Sequence, residues 1–93
     1  MSDPDAFLSS REAIEVVAAT AHERWAHWQR YLHGQCAQLD DGSLVIPADL
    51  VTRWTRQLSM QYAELTEPEK DSDREQAREY LAALQEANRQ SRS

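Results

Sequence analysis

Ninety-three residues make one small domain, and a chain this short buries only about 60–65% of its unfolded surface, so its core is modest. A net charge of −6 argues against a protein that tracks the phosphates of DNA or RNA, which needs clustered lysine and arginine. No apolar run approaches the ~20 residues of a membrane span, and the single Cys36 cannot form an intramolecular disulfide.

The opening "MSDPDAFLSS" is acidic and polar and lacks the charged and apolar regions of a signal peptide. The expected location is therefore the cytoplasm, with residues 1–8 as a flexible N-terminus. Ser9 followed by Glu12 is a capping-box pattern, which predicts a helix start and opens a single helical domain over 9–89. From there Ile14, Ala18, Ala21, Trp25, Trp28 and Leu32 recur in alternating steps of four and three. That spacing is one helical stripe of some two dozen residues, with Gly34 as its stop.

"DDGS" follows as a turn and "LVI" as a short extended piece. Pro47 suits the first turn of a second helix over about 47–60, with Leu50, Val51, Trp54 and Leu58 on one face. Thr66 with Glu69 forms a second capping box, and Pro68 sits where a missing N–H costs nothing. Ala77, Tyr80, Leu81, Leu84 and Ala87 then give the stripe of a third helix to about 89, with 90–93 frayed. The expected fold is all-α: a small bundle of three main helices with a loop-rich segment between helices 1 and 2.

The three histidines invite a metal site, but their spacing refuses it. Ligands on one helix meet one ion when four residues separate them, whereas His22, His27 and His33 lie five and six apart. His22 and His33 share a direction but stand about 16 Å apart along the helix. Cys36 has His33 nearby but no third, orienting group. No cofactor, no metal and no enzymatic activity are expected.

Charge is distributed unevenly. The first twenty residues hold four acids and one arginine, residues 21–60 hold four of each sign, and residues 61–93 hold eight acids and five bases. The balanced middle, with Arg24, Arg30, Arg53 and Arg56 among the tryptophans, is where an anionic small molecule is tolerated. In the third helix the register of Ala77 and Leu81 runs back through Arg74, Asp73 and Lys70. Two readings follow: these turns overhang the core and pair with Glu67, Asp71 or Asp73, or they line a pocket facing the Trp25 region. Trp28 and Trp54 read as core. Trp25 stands one turn after His22 and beside Arg24, so its indole is a platform for stacking a base, and Tyr62 offers a similar face.

Two stretches together carry a family resemblance. "HERWAHWQRYL" resembles the "HExWxxxK" opening of ryanodine-receptor-type (RyR) domains, through His22, Glu23 and Trp25. "QYAELTEPEKDSDREQAREYLAAL" resembles their later "PYxxLxExEKxxDRxxAxxxLxxL" segment, through Tyr62, Leu65, Glu67, Glu69, Lys70, Asp73, Arg74 and Ala77. The same ending, preceded by a tryptophan-bearing helix, is similar to small bacteriophage proteins. The middle departs from the RyR pattern, with "QCAQLDDGSLVIPADLVTRWTRQLSMQ" in place of its usual "GWxYGxxxDxxxKxHPxLxPY". The resemblance implies a small helical module that recognises a nucleotide-type ligand, with Trp25 stacking the base.

Taken together, the expectation is a non-enzymatic, phage-type module that binds a nucleotide-like small molecule and sequesters a host signalling nucleotide, in the host cytoplasm if phage-encoded. Its candidate ligand-binding residues are His22, Arg24, Trp25, Tyr62, Lys70, Asp73 and Arg74. The alternative is a homo-oligomeric or host-protein interaction module built on the tryptophan seam. Neither reading involves a nucleic-acid polymer or a membrane.

Overall fold

A computed structural model describes residues 4–91 of the chain. Two helices of 25 residues dominate it, α2 (Arg11–Gln35) and α4 (Glu67–Ser91), packed side by side. A five-residue helix α1 (Pro4–Leu8) precedes them. The connection between them holds a two-stranded antiparallel ribbon, β1 (Ala37–Gln38) with β2 (Leu44–Val45), then helix α3 (Ala48–Leu58) and a 3₁₀ turn at Tyr62–Glu64. The molecule is all-α in the sense expected, three main helices with a loop-rich segment after the first.

Local chemistry accounts for most boundaries. Ser10, not Ser9, caps α2: its side chain accepts a hydrogen bond from the Ala13 N–H at 3.1 Å. Ser9 is spent on the end of α1, where its N–H donates to the Asp5 carbonyl at 3.0 Å. The segment read as a terminus thus carries a helical turn from Pro4, while residues 1–3 lie outside the described part. Both halves of the Thr66–Glu69 capping box form: the Thr66 N–H donates to Glu69 Oε1 at 2.9 Å, and the Glu69 N–H donates to Thr66 Oγ1 at 3.4 Å. The third main helix continues through residues 90 and 91, with 92 and 93 outside the described part.

"DDGS" closes the ribbon. Gly42 takes φ +90°, a conformation that favours glycine, and the Ser43 N–H donates to Asp41 Oδ1 at 2.9 Å. "LVI" pairs back on "AQ", with Ala37 opposite Val45 and Gln38 opposite Leu44.

Packing runs antiparallel along the hairpin. The first half of α2 meets the last turns of α4 around Ala13 and Leu84, and its second half faces the first turns of α4. Very little is sealed from water. Ala13, Leu50 and Ala87 are the buried apolar residues among those described, joined by Thr20, whose hydroxyl donates to the Val16 carbonyl at 2.9 Å. The radius of gyration is 17.8 Å, against about 12 Å for a compact domain of this length. The molecule measures 56 × 35 × 17 Å, a thin slab rather than a ball.

The stripe on α2 explains the thinness. At about 100° per residue, the side that meets α4 is centred on Ala13, Thr20 and Arg24. Ile14, Ala18, Trp25 and Leu32 are centred roughly a quarter-turn or more away from it. Ile14 is therefore 63% exposed and Trp25 59%, although both belong to the apolar pattern. Trp28, read as core, is exposed as well, whereas Trp54 is half-buried. On α4, Leu84 and Ala87 turn inward, and Leu81 is left out in solvent.

Candidate functional site

The second half of α2, helix α3 and the start of α4 border an open cleft of about 940 Å³. Its aromatic lining comes from Trp28 and Tyr31 on α2, Trp54 on α3, and Tyr62 in the 3₁₀ turn. Trp28 organises these rings. It stacks on Tyr31 at 5.3 Å between centroids and meets Trp54 edge-on at 5.6 Å, which is what ties α3 to α2.

The polar lining is mixed in sign. Arg24 and Arg53 supply positive charge, and Glu69, Asp73 and Glu75 supply negative charge. Glu69 is already committed. Arg56 pairs with it, the Gln57 amide donates to its Oε2 at 2.6 Å, and its other oxygen holds the Thr66 N–H. The Thr66 backbone bond above all, then Gln57, holds its carboxyl down at about 2. Glu69 is thus the joint between α3 and α4 rather than a free acid. Arg24 is the reverse case: it is half-buried, and its Nε is sealed from solvent with no hydrogen-bond partner.

The seven residues singled out in the sequence fall into three places. Arg24, Tyr62 and Asp73 line the cleft. His22 and Trp25 lie on the outer face of α2, stacked on each other at 5.9 Å with 26° between their planes, and do not line it. Lys70 and Arg74 sit on the far flank of the first turns of α4. Lys70 Nζ stands 5.8 Å over the Tyr62 ring and 3.6 Å from Glu67, and Arg74 binds Glu67 at 3.0 Å and Asp71 at 2.8 Å. Those two anions hold the Arg74 guanidinium firmly protonated, and Arg74 in turn lowers the Glu67 carboxyl. The overhanging, internally paired reading of the charged turns therefore describes Lys70 and Arg74, while Asp73 faces the cleft.

Trp54 and Tyr31 line the cleft without having stood among the sequence candidates, and Arg53, read from the sequence only as one of four arginines that tolerate an anion, lines it too. Trp54 and Arg53 belong to the segment that departs from the RyR pattern, and Tyr31 is one turn from Trp28 on a helix already read as a seam. Nothing local in "RWTRQL" marks Trp54 as a cleft residue, since the same Arg–Trp pair in "ERWAH" sends its tryptophan to the outer face. Among the described residues, no group of three or more His, Cys, Asp and Glu comes together that could hold a metal ion. No described helix is long and apolar enough to cross a membrane. Compared with known proteins, the chain matches no family model, no curated protein and no solved structure.

Proposed function

We propose that this chain is a non-enzymatic recognition module, of the RyR-like phage type its motifs resemble, that binds a nucleotide-like small molecule in the cleft between α2, α3 and α4. One observation carries the reading: four aromatic rings and two arginines, Arg24 and Arg53, converge on a cleft of about 940 Å³. Ligand sites are concave, mostly apolar, and furnished with few oriented polar groups. Here Trp54 and Tyr62 offer faces for a base, Arg24 and Arg53 neutralise an anionic group, and Asp73 accepts from a ribose hydroxyl or a ring N–H. Lys70 and Arg74 support the wall through Tyr62 and Glu67 instead of meeting the ligand.

Calorimetry against a panel of mononucleotides, cyclic nucleotides and linear dinucleotides tests this. Arg24→Ala is expected to weaken the best ligand at least tenfold, about 1.4 kcal/mol, and Arg74→Ala to leave it within twofold. If no member binds the wild type with Kd below about 1 mM, the reading fails.

A second reading, in which the chain acts by association with another protein surface, is favoured by the exposure of Trp25 and Ile14 on one face of α2.

A further inference from the structure

We infer that the exposed apolar face of α2 is covered by α2 of a second copy of this chain, antiparallel, about a two-fold axis at Ala21. This deepens the association reading and does not depend on the cleft.

The area is the first argument. The chain exposes 7282 Å², whereas a compact monomer of this mass exposes about 5,500 Å². The excess of roughly 1,800 Å² is what one partner of an obligate dimer covers, since such interfaces total about 2,000–5,000 Å². The thin axis gives the same answer. At 17 Å it is about half the ~31 Å diameter of a compact domain with this many residues, so the second layer of the fold is missing from a single copy.

Why a second copy and not a foreign protein? Three buried apolar residues among those described make too small a core to hold the chain folded, so whatever covers this face must be present whenever the chain folds. Another copy of the same chain meets that condition by construction, and closed two-fold pairing is the commonest way chains associate.

The stripe is also self-complementary. About an axis at Ala21, an antiparallel mate sets Trp28 against Ile14 of the second copy and Trp25 against its Val17 and Ala18. Each indole meets small or aliphatic side chains, and Ala18 and Ala21 let the backbones approach at the centre. A groove of about 390 Å³ waits where the indoles would arrive. It is lined by Leu8, Ala13, Ile14, Val17, Ala18 and Leu84, every one apolar.

Light scattering coupled to size exclusion tests the assembly, and thiol cross-linking tests the face. The wild type at 10–100 μM is expected at twice 10.7 kDa or an even multiple of it, with a melting midpoint that rises with concentration. In a Cys36→Ser background, Ala21→Cys is expected to join copies through a short bis-maleimide, and Leu58→Cys, on α3 and 81% exposed, is not. Trp25→Glu is expected to raise the dissociation constant at least a hundredfold. Because that variant can simply unfold, the cross-linking pair decides the face independently. A cooperatively folded 10.7 kDa monomer at 100 μM overturns the inference. So does an oligomer that cross-links at residue 58 and not at 21, or a stoichiometric complex with a different protein in place of a second copy.

Discussion

The two ends of the α2–α4 hairpin are built from different chemistry. Where α2 begins and α4 ends, contact rests on small and aliphatic side chains: Ala13 and Ala87 are buried, Leu84 is half-covered, and Thr20 satisfies its own hydroxyl. At the opposite end a polar lattice joins three elements, from Arg56 and Gln57 on α3 to Glu69 on α4, with Lys70 over Tyr62 and Arg74 between Glu67 and Asp71. The apolar end depends on excluding water and so on what covers it. The polar end depends on charge and geometry, and so on pH and salt.

The most damaging change should fall at the apolar end. Ala13→Asp puts an unpaired carboxylate at a site 3% exposed and is expected to cost about 3 kcal/mol or more, seen as loss of helical circular dichroism or a collapsed denaturant midpoint. A variant that unfolds near the wild-type midpoint would show that this end is not the anchor. Next comes Leu50→Ala, which removes the one buried side chain of α3 and is expected to cost about 2–3 kcal/mol by denaturant titration. Trp54→Ala should act more locally: it removes a half-buried side chain and an edge-on ring pair worth about 1 kcal/mol, with faster amide exchange in α3 and little change in α2.

Smallest is the acid response of the polar end. Glu69 is held at about 2 against an ordinary 4.5, so its contribution is full above about 4.5 and drains away as pH falls toward 2. Glu67, lowered by Arg74, acts in the same direction. Amides around 66–70 are expected to lose protection between pH 4.5 and 2, once corrected for intrinsic exchange, while those around Ala13 and Ala87 keep theirs until global unfolding. Equal loss at both ends would erase the contrast.

Much of this is legible in the sequence. Local signals fixed the elements well, because capping boxes and turn glycines act within a few residues: Thr66 with Glu69 and the "DDGS" turn read directly. Ser9 misplaced the first cap by one residue because two serines competed and α1 claimed the first. Which part of a stripe packs inside a single chain is not a local property. Period fixes an apolar arc on α2, but its width exceeds what α4 alone covers, so Trp25 and Ile14 emerged outside. The site divided for the same reason. Arg24 and Trp25 are neighbours in sequence, yet about 100° separates them around the helix, which sends one to the cleft and the other to the outer face.

Trp28 belongs to both surfaces. It stands on the exposed stripe, and it also lines the cleft, stacked on Tyr31 and edge-on to Trp54. Two equilibria that share one side chain do not move independently. On the proposals above, a molecule that reorders Trp28 in the cleft would shift self-association by some factor, and self-association would change affinity for that molecule by the same factor. Occupancy and assembly would then be read by one indole, and its fluorescence would report either event as a change in the other.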